Sequence, residues 1–371
     1  MRPPFEDAPI RKILVRVNNW IGDVVMISPA MRALRSRFPQ AEITLLAKTW
    51  VLEALRGSPY CDHLLEYDRA GAHAHLSGRL RLIRTLRKER FDLAVLFQKA
   101  FEAAFFARAA GIPFRVGFRT DARGWLLTHP VEEPGEAHHV EHFLRIVQAV
   151  GCRISDRRLS FHLDQRSRDA AARFLRDAGI RAGGWRVAVH PGASKAPRAW
   201  HPERFARVAS FLAREHGALP ILLGSEADRN TLEAMAAIIG PAAILPPAGQ
   251  ALGEMAALLE RCHLLICNDS GPMHVAAALR IPVVAIFGPG HPARTAPYTD
   301  AGLYRVVTAG YPCSPCRQKF FRECLPAPSG KPYCLEDVPV EKAIGACLEI
   351  LGKGGEGSIT GGRSALGRPS S

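Results

Sequence analysis

The 371-residue chain has no uninterrupted apolar run of the roughly 18 residues that a membrane-crossing helix needs, and its opening MRPPFEDAPIRK lacks the apolar core of a secretory signal. Neither a spanning helix nor export is expected, which makes a cytoplasmic location the default. No G-x-G-x-x-G and no G-x-x-x-x-G-K-[ST] follows an apolar run. A nicotinamide enzyme and a P-loop nucleotidase are therefore disfavoured. No period of about 20 to 50 residues recurs, and the aromatic residues are not interleaved with the basic runs as a single-strand nucleic-acid binder requires.

A disulfide scaffold is also unexpected. Of nine cysteines, Cys61, Cys152, Cys262, Cys267 and Cys347 stand singly in apolar segments, where a thiol behaves as a small hydrophobe. What the chain does have is positive charge, a formal +14 with pI near 9.7. That balance favours an acidic partner, whether nucleic acid, an anionic membrane face or a phosphorylated substrate, and charge alone does not choose among them.

Short apolar runs alternate with longer stretches of helical period. ILVRV, EITLLA, HLLEYD and DLAVLF read as strands; after a polar stretch near Asp156–Arg168 the rhythm restarts with WRVAVH, LPILLG, HLLICN and IPVVAIFG as buried strands. Strands alternating with helices predict parallel sheets covered on both faces, hence two α/β domains. The junction is placed near residue 165. The expected division is 1–165, 166–336, a last helix over 337–351, and a Gly/Ser-rich tail, 352–371, with too little apolar surface to order itself.

Ligands of open parallel sheets bind beyond the carboxyl ends of the strands, and three loops there are distinctive. After ILVRV, the stretch NNWIGD sets Gly22 and Asp23 where a helix begins, a helix expected to run through Met31 to Phe38. After WRVAVH, in PGASKAPRAW, Gly192 permits close backbone approach, Ser194 offers a hydroxyl, and Lys195 and Arg198 offer cations suited to phosphate. After HLLICN, Asp269, Ser270 and Gly271 precede an Ala-rich helix whose free N–H groups and dipole can cradle a diphosphate, with His274 one turn in. Plain helix capping is the simpler account of each Asp and Ser. GSEAD adds Glu226 and Asp228 at a strand end, where a carboxylate can accept from ribose hydroxyls.

ILVRVNNWIGDVVMISPAMRALRSRFPQAEITLLA, VAVHPGASKAPRAWHPERFA and CNDSGPMHVAAALRIPVVAIFGP together resemble, in order, the signature blocks of glycosyltransferase family 9, the ADP-heptose lipopolysaccharide heptosyltransferases. NNWIGD resembles the heptosyltransferase II branch. The resemblance covers about residues 12–350. It implies a GT-B fold, two Rossmann-like doubly wound domains facing an interdomain cleft. It implies inverting, metal-independent transfer of heptose from an ADP-sugar donor to a phosphorylated glycolipid of the heptosyl-Kdo-lipid A type. By the same resemblance Asp23 matches the general base, with Gly22 and Asn19 beside it on the acceptor side. Ser194, Lys195, Arg198, Asp228, Asp269, Ser270, Gly271 and His274 match the donor site. Gly290 departs from the threonine often found after FGP. The setting implied is peripheral, at the cytoplasmic face of the inner membrane, with no nucleic-acid partner and no cofactor required for catalysis. A family 9 transferase of another nucleotide sugar, for core or capsule glycan, and a non-catalytic nucleotide-sugar or nucleic-acid binder are the alternatives.

Three features lie outside those blocks. Cys313, Cys316, Cys324 and Cys334 form a C-x2-C-x7-C-x9-C set that suits a structural zinc or, less readily, an iron–sulfur cluster, yet matches no standard zinc module; reduced or redox-variable thiols are the other reading. HHVEH at His138–His142 has the spacing of a metal pair without a third ligand, and a helix start accounts for it more simply. LSGRLRLIRTLRKER is expected to pack by Leu76, Leu80 and Ile83 behind a solvated basic face; docking on an anionic leaflet is the sharper alternative.

Overall fold

The computed structural model describes residues 9–180 and 184–354, with side chains to 352. In the first sheet β1 (Lys12–Arg16), β2 (Glu42–Ala47), β3 (His63–Glu66), β4 (Leu93–Leu96), β5 (Phe114–Phe118) and β6 (His129–Val131) run parallel in the order β3-β2-β1-β4-β5-β6. The second holds β7 (Arg186–His190), β8 (Leu219–Leu222), β9 (Leu264–Asn268), β10 (Val283–Ile286) and β11 (Tyr304–Val307), also parallel, in the order β11-β10-β9-β7-β8. Strand direction of winding reverses between β1 and β4, and again between β7 and β9. Crevices open at such points, beyond the strand ends.

Each central strand is apolar on both sides because helices cover both faces. Leu14, Ala94 and Leu96 point to one core with Leu82, Leu86 and Phe106, while Ile13, Val15, Leu93 and Val95 point to another with Val25, Leu34 and Phe143. That second core continues without interruption into the other half through Ala256, Leu258, Leu265, Met273 and Ala285. The inner helices of the two sheets thus pack on each other, and the outer helices of the second sheet enclose a further core around Trp200, Phe205 and Ile266.

One long helix was expected from Gly22 to Phe38; two are found, Ile21–Met26 and Ser28–Arg37, broken at Ile27. Pro29 has no N–H to give the carbonyl of Val25. The Ser28 hydroxyl gives one instead, at 2.6 Å, and accepts from the amide of Ser160 at 2.9 Å, tying the break to the segment between the halves. The boundary expected near 165 falls at the start of helix Gln165–Asp177, which Asp164 caps through the Ser167 amide at 2.7 Å. That helix is bound to Leu252–Glu260 of the second half by Arg168 and Glu260, at 3.0 and 2.9 Å.

Helix Leu76–Glu89 differs from expectation. Gly78, Leu82, Ile83 and Leu86 face inward, while Leu76 and Leu80 are exposed. The cause is Gly78, whose α-carbon lies so close to the backbone of Ala72 and His73 that a β-carbon would overlap Ala72 O, and this contact sets the helix's rotation. His138 caps helix His139–Gln148, its ring accepting from the Val140 amide, so HHVEH is a helix start. The last helix spans Val340–Gly354 where 337–351 was expected, and its apolar residues Ile344, Cys347, Leu348 and Leu351 pack against the outer core. The rest of the expected disordered tail, 355–371, lies outside the described residues.

Candidate active site

After β1 the chain runs through Val17–Trp20 in non-helical conformation, and Trp20 starts helix Ile21–Met26 without a side-chain cap. Asp23, in the first turn, does not cap that helix: its hydrogen bond is from Asn18 Nδ2 to Oδ2 at 3.1 Å, which leaves Oδ1 for another partner. Burial raises its pKa from 3.8 to about 6, against the opposing hydrogen bond from Asn18 and the charge of Lys99. This carboxylate therefore exchanges its proton near neutral pH. Asn19 accepts from Arg16 Nη2 at 3.5 Å, and Arg16 itself is buried, donating to Leu46 O at 2.9 Å and lying over the Tyr67 ring at 5.2 Å. Arg16 thereby fixes the loop's shape from beneath.

The neighbouring loop, after β4, brings Gln98 and Lys99 beside it, as the winding reversal between β1 and β4 requires. Buried Arg123 holds that loop by donating to Gln98 O and to Ala100 O, the latter at 3.1 Å. Asn18, Asn19, Trp20, Asp23, Gln98, Lys99, His139, His142 and Phe143 enclose a cavity of about 320 Å³. Lys99 pairs with Glu133 there. His139 is kept neutral, its pKa lowered to about 4 by burial and by the charges of His142 and Lys99.

In the second half, the loop after β7 and the helix Gly271–Ala278 after β9 meet at the other reversal point. Asn268 joins them, accepting from the Trp200 amide at 2.9 Å and donating to Pro191 O at 2.7 Å. Arg198 pairs with Asp269 and also donates to its carbonyl at 3.2 Å. Burial raises the Asp269 pKa, which Arg198 opposes. A β-carbon on Gly290 would overlap Asp269 Oδ2, so the absence of threonine there is what lets Asp269 take this position. Asp228 accepts from the Ser225 amide and hydroxyl on Oδ2, at 2.9 and 2.6 Å. The Ser270 hydroxyl, His274 Nδ1, His190 Nδ1 and Arg198 Nε are buried with no hydrogen-bond partner. So many unmet polar atoms around one opening are the mark of a polar ligand site.

The two halves touch at their helix starts. A β-carbon on Gly22 would come within 2.7 Å of His274 Cδ2, and one on Gly271 within 3.4 Å of Ile21. Between them lies a cleft of about 680 Å³, lined from the first half by Trp20, Gly22, Asp23, Trp50 and His139, and from the second by Ser194, Lys195, Arg198, Asp228, Asp269, Ser270, Gly271 and His274. All eight donor-side residues expected from sequence line it, as do Asp23 and Gly22. Asn19 lies in the adjoining cavity, which shares Asp23, Trp20 and His139 with the cleft. Glu226 does not line the cleft. Sequence reading overlooked Lys99, His139 and the edge-on pair Trp20 and Trp50, whose rings lie 6.2 Å apart at the rim; the exposed tryptophan in NNWIGD was the available signal.

Cys313, Cys316, Cys324 and Cys334 line one separate cavity of about 400 Å³. Among the described residues no three His, Cys, Asp or Glu side chains come together as a metal-holding set; burial, with Cys316, Cys313 and Cys324 close by, raises the thiol pKa of Cys334 to about 11.

The model of "Glycosyltransferase family 9 (heptosyltransferase)" matches residues 79–324. The chain belongs to glycosyltransferase family 9. Lipopolysaccharide heptosyltransferase 2 of Salmonella typhimurium is 30% identical over 312 residues, 81% of this chain and 89% of that one, and the Escherichia coli K12 protein of the same name is 29% identical over the same shares. The solved E. coli ADP-heptose LPS heptosyltransferase II superposes with TM-score 0.73 at 24% identity, over 92% of this family 9 chain and 99% of its own. A family 9 structure from Veillonella parvula superposes with TM-score 0.72 at 24% identity, over 80% and 85%. The two-domain GT-B fold is shared with both, and the family 9 chain is an enzyme of the glycosyltransferase class.

Proposed function

We propose that this family 9 enzyme transfers heptose from ADP-heptose to the inner-core heptose–Kdo region of lipopolysaccharide, with inversion at the anomeric carbon and without a catalytic metal. The observation that carries the reading is a single cleft with one half-buried carboxylate on its first-half wall and an anion-binding set on its second-half wall. The relatives named above as heptosyltransferases give the sugar.

In this reading the acceptor occupies the cavity around Asn19, Lys99 and His139, and its hydroxyl gives its proton to Asp23 Oδ1 as its oxygen attacks the anomeric carbon. The bond from that carbon to the diphosphate breaks on the opposite face. Negative charge grows on the departing ADP and meets Arg198, Lys195 and the free N–H groups of helix Gly271–Ala278. Asp228 Oδ1 receives the ribose hydroxyls while Ser225 occupies Oδ2. The acceptor is a phosphorylated glycolipid met at the inner face of the inner membrane. No helix among the described residues is long and apolar enough to cross a membrane.

The test is a panel of nucleotide sugars against a truncated, heptose-bearing lipid A acceptor. Transfer from ADP-heptose alone supports the reading. Transfer from a different nucleotide sugar would reassign the donor, and donor binding with no transfer to any glycolipid would remove the catalytic reading.

A further inference from the structure

Helix Leu76–Glu89 lies beside helix Phe101–Ala109, held there by Arg79 with Glu102 at 3.8 Å and by Arg87 Nη2 donating to Ala109 O at 2.6 Å. The outer edge of this pair is apolar. Leu76 is 72% exposed, Leu80 41%, Phe101 38% and Phe105 44%, and Trp125, on the turn Gly124–Leu126, is 69% exposed. Phe101 stacks with Phe105 and tilts against Trp125, each at 6.3 Å between ring centroids, so the three rings form one patch. The inner core of this half is already filled by other residues of the same helices, and these side chains are surplus to it. A soluble protein seldom leaves such a patch facing water without a partner.

The charge around the patch identifies the partner. Residues 76–90 carry Arg79, Arg81, Arg84, Arg87, Lys88 and Arg90 against the single acid Glu89. Arg81, Arg84 and, on the adjoining helix, Arg108 are exposed and make no ion pair among the described residues. We propose that this face docks the enzyme on an anionic phospholipid bilayer, the aromatic and leucine side chains entering the headgroup boundary and the free arginines meeting lipid phosphates. Aromatic rings and leucines beside Arg on an interfacial surface are the composition such contacts use. A second copy of the chain fits less well, because an isologous contact would set each unpaired arginine near its own like-charged equivalent.

The position of the face deepens the proposed function and rests on it for this point alone. Phe101 follows Lys99, a lining residue of the acceptor-side cavity, by two positions, and its amide donates to Asp121 Oδ2 at 2.9 Å at the foot of the Trp125 turn. A lipid-anchored acceptor lifted from the same bilayer would enter that cavity without leaving the surface.

The experiment is cosedimentation of the full chain with mixed phosphatidylglycerol/phosphatidylcholine vesicles and with phosphatidylcholine vesicles, no glycolipid being present, so that its result does not depend on the acceptor's identity. Wild type is expected to bind the anionic vesicles, and to bind less at high salt. The pair F105S and W125S, and separately R84E with R108E, are each expected to weaken that binding by at least about tenfold, with thermal midpoint and turnover on a deacylated, water-soluble acceptor unchanged. Absence of anionic-vesicle binding by wild type would overturn the proposal, as would variants that bind as well as wild type. A concentration-dependent dimer dispersed by F105S and W125S would also overturn it, assigning the face to a second copy.

Discussion

In the base role proposed for it, Asp23 sits where two tasks pull against each other. A base must be ionised to work, yet burial in the cleft favours its neutral form and lifts its pKa to about 6. The acid limb of kcat/KM is accordingly expected near pH 6. Asn18→Ala removes a hydrogen bond that favours the charged form and is expected to move that limb to higher pH, a shift read directly from the rate profile. The same tension appears in stability. Because the folded pKa lies above the unfolded 3.8, the folded state holds this proton more tightly, and the charged carboxylate becomes a cost as pH rises from about 4 to about 6. Asp23→Asn is expected to abolish transfer while raising the thermal midpoint at neutral pH, an advantage that fades below pH 4. Equal turnover in that variant would take Asp23 out of the base role. Arg198 carries a different pair of effects. In the proposed donor site its removal is expected to cost the diphosphate a charge-assisted hydrogen bond of about 1.5–3 kcal/mol, roughly 10- to 150-fold in ADP affinity by calorimetry. It also strands buried Asp269 without its cation, so the midpoint is expected to fall as well.

At the scale of elements, the sequence reading succeeded where a strand is a nearly continuous apolar run and failed where a charged residue or glycine interrupts it, whether the strand is interior, as β5 is, or at an edge, as β11 is. ILVRV, DLAVLF and HLLICN are central strands walled in by helices, and their composition says so. Phe114–Phe118 reads FRVGF, its arginine turned to bond Leu126 O at 2.7 Å, and β11 reads YRVV with one fully buried residue. Neither has the continuous apolar pattern by which a buried parallel strand is recognised. The site divided in the same way. Loops whose chemistry is local, such as DSG or PGASKAPR, were legible, whereas Lys99 and His139 acquire their place only because β4 lies next to β1 and because helix His139–Gln148 abuts the cleft. Buried Arg16, inside an apolar strand, likewise reads as an oddity until its guanidinium is seen donating to Leu46 O and to Asn19 Oδ1. The broken first helix offers an element-scale test. Ser28→Ala leaves Val25 O and the Ser160 amide without their hydroxyl partner, and a loss of about 1–3 kcal/mol in chemical denaturation is expected. No loss would show that the break is set by Pro29 alone.

For the molecule as a whole, the contact between halves is rich in histidines that must stay neutral. His138 shows why. Its Nδ1 accepts from the Val140 amide, so its Nε2 carries the hydrogen and donates to Ala296 of the second half at 3.0 Å, with the ring 4.7 Å from Tyr298. Tyr298 in turn donates to Glu141 Oε1 at 2.6 Å, closing a small latch across the halves. Burial lowers the pKa of His138 and His190, takes His139 to about 4, and takes His274 to about 3. Each has an unfolded value near 6.5, so below that pH the unfolded chain binds protons that the folded one refuses. The sign follows: stability is complete above pH 6.5 and is lost as pH falls, with His274 alone contributing up to about 1.4 kcal/mol per pH unit below its unfolded value. Asp23 acts oppositely between pH 6 and 4, and Asp269, whose pKa burial also raises, acts with the same sign, but they are two groups against four. Denaturation monitored at successive pH values is expected to show the midpoint falling from pH 7 to 5; on the proposed donor site, ADP at a hundredfold excess over its Kd is expected to restore about 2.7 kcal/mol. His138→Asn, which can still cap the helix but cannot reach Ala296 in the same way, is expected to flatten part of the acid dependence. A profile unchanged in that variant would place the acid sensitivity in His139, His190 and His274, on the walls of the cleft itself.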